Sequence, residues 1–139
     1  MTDLSKTYIE MATLMAKNSK AIRKKVGAAL VTPHGTVLLS YNGTPRGLEN
    51  TCEDENNVTK PTVIHAETNC ILKAAREGVS VVDSTLYVTL SPCLQCSAMI
   101  IQAGITKVVY NDDYRDLSGI EFLKEAGIEV IKLESEKHE

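Results

Sequence analysis

The sequence predicts an α/β protein of three layers, α/β/α, built on a five-stranded mixed sheet with helices on both faces. Three observations predict it. Two β-rich runs, 26–32 (VGAALVT) and 36–42 (TVLLSYN), flank Pro33-His34-Gly35, which is the signal of a hairpin and so of an antiparallel pair. From residue 65 onward helical and strand patterns alternate, and successive strands joined through helices need crossover connections, so the last three strands are expected to run parallel. At 139 residues, with no linker, repeat or low-complexity tract, the chain reads as one domain, 1–139, large enough for a proper core.

In order, residues 4–17 carry apolar side chains at helical intervals and are expected to form an amphipathic helix. The hairpin strands follow, and 43–61 reads as a polar loop. Residues 65–77 return to helical spacing through AETNCILKAAR and stop at Gly78. A strand at 85–90 (TLYVTL) precedes a helix at 93–103. Ser91-Pro92 reads as the start of that helix, a capping hydroxyl followed by proline where its missing N–H costs little. A strand at 106–110 (TKVVY), a helix at 117–126 and a strand at 128–133 complete the pattern, and the charged tail 134–139 (ESEKHE) is expected to fray.

A net charge of −3 and a pI near 5.6 argue against a surface built to neutralise a nucleic-acid backbone. With no Trp and one Phe the chain also lacks platforms for stacking successive bases. A small free substrate is favoured, with no nucleic-acid partner. No apolar run approaches a membrane span and MTDLSKTYIE has no apolar signal region, so a cytoplasmic protein with no membrane partner is expected. Four cysteines as reduced thiols fit that compartment.

The chemistry gathers in two short segments. His65-Ala66-Glu67 and Pro92-Cys93-Leu94-Gln95-Cys96 supply three zinc ligands, His65, Cys93 and Cys96, and one carboxylate, Glu67, that is not needed as a ligand. A structural zinc is usually closed by four protein ligands, whereas a catalytic zinc keeps one position for water. Cys93 and Cys96, three apart, share one face of a first helical turn, where the positive end of the helix favours thiolates. His65 also enters a helix, so two helix N-termini are expected to converge on one metal. Read otherwise, CxxC is a redox pair or part of a structural knuckle. A knuckle needs a fourth ligand, and a redox pair has no use for His-x-Glu.

H-x-E combined with P-C-x-x-C resembles the signature of zinc-dependent deaminases acting on cytosine or adenine. Residues 40–47 (SYNGTPRG) resemble the GYNGxPxG segment of deoxycytidylate (dCMP) deaminases, and 19–28 (SKAIRKKVGA) resemble their SxCxRRxVGA segment; HAETNCIL, YVTLSPCLQC and AGIEV match further. By this combination, spread over most of 8–131, the chain is identified as a member of that family. The resemblance implies the cytidine-deaminase-like fold and one catalytic Zn2+ per chain. It implies hydrolysis of dCMP to dUMP and ammonia on the route to thymidine nucleotides, with zinc activating a water and Glu67 shuttling the protons. It places the backbone near Ala66 and Ser91 against the base, Asn42 on the sugar or base edge, Tyr114 beside the nucleotide, and Ser19 and Arg23 on the phosphate. Hexamers regulated by dCTP and dTTP are implied as well, with the effector site near the segment holding Tyr41 and Gly43, and Mg2+ accompanying any bound triphosphate.

Some residues keep two readings. Lys24 and Lys25, with Lys20, suit phosphate oxygens, and they suit equally a solvated cluster at a helix end favoured by its dipole. With Arg23 and Arg46 they offer more positive charge than one phosphate needs, so dCTP stands as an additional substrate or as an effector. Ser40 replaces the leading glycine of the family segment, which bears on regulation because glycine alone permits some close approaches. Residues 53–64 are too short for the insertion that supplies a second zinc in some viral members, which leaves Cys52 in a polar loop without a histidine nearby. His34 reads as an exposed turn residue, Cys70 as core, and Asp112 and Asp113 as loop charges. Two other functions compete: a deaminase of RNA or single-stranded DNA, disfavoured by the charge and the sparse aromatics, and a non-catalytic metal-binding assembly protein, disfavoured by the intact Glu67.

Overall fold

The computed structural model describes residues 3–133, so the tail at 134–139 lies outside the described residues. Five strands form one sheet in the order β2-β1-β3-β4-β5, with β1 Gly27–Val31, β2 Val37–Tyr41, β3 Thr85–Leu90, β4 Lys107–Asp112 and β5 Glu129–Lys132. The hairpin forms as expected, with Ala29 opposite Leu39 in an antiparallel pair. β1 also runs antiparallel to β3, whereas β3-β4 and β4-β5 are parallel. The strands match the expected segments to within one residue at each end, except that β4 runs two residues further because Leu90 pairs with Asp112.

Side chains alternate along a strand, and here both faces are covered. On one face Ala29, Tyr87 and Val109 meet Ile9 and Ala12 of α1 (Ser5–Ala16). On the other, Leu30, Leu86, Val88 and Val108 pack with Cys70 and Ala74 of α2 (Ala66–Glu77), Ile100 of α3 (Leu94–Ala103) and Ile120 and Leu123 of α4 (Ser118–Glu125). Helix α2 stops at Gly78, whose φ of 71° allows the left-handed cap, with the Val79 N–H closing back onto Ala74 O at 2.9 Å. Cys70 is fully buried core, as its place in the helix required, and burial pushes its thiol up to about 11. No helix among the described residues is long and apolar enough to cross a membrane.

The sense of the strands decides where the site lies. β3 and β4 deliver their C-terminal ends to one edge of the sheet, the edge where open α/β sheets bind ligands. Because β1 is antiparallel to β3, its beginning and the end of β2 arrive at that same edge; the Gly27 N–H donates to Thr89 Oγ1 at 3.2 Å, and Gly27 faces Tyr41. Val26, Asn42, Leu90, Ser91 and Tyr114 are thereby gathered around one cavity.

Candidate active site

His65 and Cys93 hold equivalent positions at the N-caps of α2 and α3. Both have extended backbones (φ −68°, ψ 154° and φ −74°, ψ 172°) while their carbonyls accept the first intrahelical bonds, from Asn69 and Ser97. The helix of the cysteines therefore starts later than expected. Cys93 itself is the cap, its Sγ accepting from the Cys96 N–H at 3.5 Å, and Pro92 precedes the helix. Ser91 does not cap; its hydroxyl accepts from the Tyr114 N–H at 2.6 Å and ties the end of β3 to the loop after β4. The extra pairing of β3 with β4 explains the change, since it carries the chain straight past Ser91.

His65 Nδ1 lies 3.3 Å from Cys96 Sγ and 3.6 Å from Cys93 Sγ, and all three ligand atoms fall within 4.8 Å of one another. Tetrahedral bonds of about 2.3 Å to sulfur and about 2.05 Å to nitrogen put neighbouring ligands about 3.6 Å apart. The three side chains therefore fit a zinc ion and leave a fourth position free of protein. Hydrogen bonds from Cys96 and His65 pull the Cys93 thiol well below its usual range, which favours the thiolate. Cys96, hydrogen-bonded to Cys93 and buried, is shifted strongly upward, and the bond with Cys93 raises His65. Thr68 Oγ1, 3.4 Å from Cys96 Sγ, supports the second cysteine.

Glu67, two residues past His65 in the first turn of α2, is only 4% exposed, and burial pushes its carboxyl up to about 7. A buried acid that holds and loses a proton near neutrality beside a metal position can move protons. His65, Glu67 and Cys93 line a cavity of about 510 Å³ together with Arg23, Lys24, Asn42, Ala66, Ser91 and Tyr114. That volume suits a small ligand.

The other expected contacts separate. Ser19 is 2% exposed; its hydroxyl donates to Asn42 O at 2.9 Å and accepts from the Ala21 N–H at 3.2 Å. It braces the loop after α1 and does not line the cavity that holds Glu67. Ser19, Lys20 and Lys25 line a second, open depression with Lys17, and Tyr41, Gly43 and Arg46 line neither. The cluster read as one basic patch is thus divided, with Arg23 and Lys24 alone facing the cavity. Asn42 lines the wall, with Oδ1 accepting from the Val26 N–H and Nδ2 donating to Lys24 O, both at 2.9 Å. The Ala66 carbonyl already accepts from Ser40 Oγ at 2.7 Å. Cys52, read in a polar loop, is 1% exposed and lines the cavity, and His34 is exposed.

Three residues of the site went unread in the sequence. Arg115 lines the cavity with its guanidinium 5.9 Å from the Tyr114 ring centroid; its position directly after Tyr114 was the available signal. Glu53, 6% exposed, also lines it, and nothing local announces a buried carboxylate. Gly119 allows the first turn of α4 to press on the cysteine loop, since a Cβ there would lie 2.2 Å from Pro92 O. Asp113 also lines the cavity and is paired with Lys132 at 2.8 Å, an ion pair that holds its carboxyl below the usual range.

Residues 2–112 match the family model of the cytidine and deoxycytidylate deaminase zinc-binding region. The chain is 38% identical over 133 residues to deoxycytidylate deaminase of Saccharomyces cerevisiae, covering 88% of this chain and 42% of the yeast protein. The relative from Schizosaccharomyces pombe is likewise matched over 42% of its length, so the chain spans about two fifths of these two. Deoxycytidylate deaminase of Enterobacteria phage T4 is 32% identical over 170 residues, covering 91% of this chain and 88% of that one. Among solved structures, dCMP deaminase of the cyanophage S-TIM5 in complex with dCMP and dUMP superposes with a TM-score of 0.91 at 42% identity, covering 96% and 99% of the two chains.

Proposed function

The chain belongs to the cytidine and deoxycytidylate deaminase family, and from that membership we propose that it hydrolyses dCMP to dUMP and ammonia. The observation that carries the reading is a three-ligand metal group with a buried carboxyl two residues past its histidine, on a cavity lined also by Arg23, Lys24 and Arg115. His65, Cys93 and Cys96 would hold the zinc, which would supply a water activated at neutral pH. Glu67 would take one proton from the water and give it to ring N3 of the cytosine as the oxygen adds to C4, then take the second proton of that oxygen and give it to the amino group as the C4–N bond breaks and ammonia leaves. Its burial keeps bulk water from competing for that proton. Asn42, fixed at both polar ends, presents a rigid wall to the sugar or base edge, and Tyr114 borders the nucleotide. Ala66 and Ser91, at the start of α2 and the end of β3, flank the base. Arg23, with Lys24 and Arg115 beside it, holds the phosphate; a guanidinium fork matches phosphate oxygens in geometry as well as charge.

The finer reading includes one zinc per chain, a hexameric assembly, a cytoplasmic setting, and dCTP, with its Mg2+, and dTTP as effectors. Incubating the purified protein separately with cytidine, deoxycytidine, CMP, dCMP and dCTP, and following the loss of cytosine absorbance, tests the central claim. Turnover is expected with dCMP first among them, and no turnover of any would overturn it. Sedimentation of the zinc-loaded protein tests the assembly.

A further inference from the structure

Between α1 and β1 the chain has no regular structure, yet it places Arg23 and Lys24 on the cavity. It is held at three places. Near its start Ser19 Oγ donates to Asn42 O and accepts from the Ala21 N–H, and the Asn42 side chain clasps Lys24 O and the Val26 N–H at its end. Its middle rests on one atom: the backbone N–H groups of Ile22 and Arg23 donate to the same Glu53 oxygen, Oε2, at 2.9 and 3.0 Å. Two successive N–H groups converging on one anion form a backbone nest, a common phosphate seat. Here the chain's own carboxylate fills the nest, so the side chains are left to meet the substrate.

Glu53 is itself firmly mounted. It belongs to a short hairpin in which the Lys60 N–H donates to Cys52 O and the Asp54 N–H to Val58 O, both at 2.8 Å. Asp54 Oδ1 closes the turn by accepting from Asn56 and Val58 at 2.8 and 3.0 Å. The Ile22 side chain is 77% exposed, so packing does not fix the segment at that point.

We propose that Glu53 is the positioning residue of the phosphate end of the cavity: its carboxylate fixes the backbone at 22–23 so that Arg23 and Lys24 meet the phosphate of a nucleoside monophosphate. This rests on the deaminase reading above. A negative charge beside a phosphate seat opposes binding through space, whereas a fixed loop favours it, and the two effects have opposite signs in a variant.

Glu53→Met removes the acceptor and keeps the bulk, Glu53→Ala is a second such variant, and Glu53→Gln keeps an acceptor oxygen while losing the charge. In Met or Ala the ratio of kcat/KM for dCMP over deoxycytidine is expected to fall about tenfold, mainly through KM, as befits lost bonds to a charged group. dUMP affinity measured by calorimetry is expected to fall in parallel, zinc content to hold, and Gln to recover most of the loss. Tighter dUMP binding in the Met and Ala variants, or an equal loss for both substrates, would overturn the proposal. Amide exchange at Ile22 and Arg23 is read in the same zinc-loaded proteins without any substrate. Faster exchange in Met that Gln restores supports the latch, and unchanged exchange overturns it. A wild-type protein that neither turns over dCMP nor binds dUMP sinks the functional reading instead, a failure that the exchange data keep separate.

Discussion

Gly119→Ala tests whether the fold holds the metal site in place. Two effects oppose each other there. Replacing glycine by alanine in a helix favours folding by up to about 1 kcal/mol on intrinsic propensity. A Cβ at Gly119, however, would lie 2.2 Å from Pro92 O and 2.8 Å from the Cys93 carbonyl carbon and oxygen. Comfortable carbon–oxygen contacts begin at about 3.3 Å, so α4 and the cysteine loop must part by about 1 Å. Every clashing atom belongs to backbone that carries a ligand, and overpacking of this kind costs about 1–3 kcal/mol. The clash wins, and the net loss is expected near 1–2 kcal/mol, or roughly 3–7 °C in Tm. Zinc suffers separately, because ligand positions are held to within about 0.2 Å, and an affinity loss of about 10–100-fold is expected, as for lost supporting contacts. Competition against a chromophoric chelator measures the affinity, and melts with and without chelator measure the stability. Gly35→Ala is the control: its φ of 89° makes alanine strained, about 1–2 kcal/mol, in open space far from any ligand. Gly35→Ala with unchanged zinc affinity and Gly119→Ala with reduced affinity is the expected pair. A Gly119→Ala protein that binds zinc like the wild type refutes the coupling.

Glu67→Gln is expected to keep its zinc and fold while losing turnover, because the amide preserves shape but carries no transferable proton; metal analysis with single-turnover kinetics decides, and near-normal turnover removes Glu67 from the mechanism. Cys93→Ala and Cys96→Ala are expected to lose metal and activity together, and full zinc occupancy in either would strike that cysteine from the ligand set. Arg23→Ala and Arg115→Ala are each expected to weaken use of dCMP more than use of deoxycytidine, by about 1.5–3 kcal/mol in kcat/KM, the range for a hydrogen bond to a charged group; equal losses on both substrates would make the residue structural. Finally, dCTP alone is expected to yield little dUTP, since Lys20, Lys25 and Arg46 do not face the cavity that holds Glu67. Product analysis showing dUTP formed as fast as dUMP would reverse that.

The metal half of the site was legible because the chemistry narrows the choice. Few residue types bind zinc, and the spacing of Cys93 and Cys96 is fixed by one helical turn, so a short window contains the whole statement. The phosphate half carries no such restriction, as any of several cations would serve, and which one faces the cavity is decided by contacts distant in sequence. For that reason the sequence did not show that the Ser19 hydroxyl is engaged: it finds Asn42 O, 23 residues away. Glu53 was missed because its partners, Ile22 and Arg23, lie 31 and 30 residues back. Gly119 was missed because what it must avoid is a carbonyl on another helix's approach. One feature joins the two halves and was only partly visible. The hairpin predicted β1 against β2, but the antiparallel seating of β1 on β3 is what brings Asn42 and the Arg23 segment to the edge where Cys93 emerges. Were β1 parallel to β3, the segment entering it would reach the sheet at the opposite edge, a strand's length from the metal. The metal group and the Arg23 segment are therefore neighbours through the sense of one strand, and the bonds of Asn42 to residues 24 and 26 hold that arrangement in place.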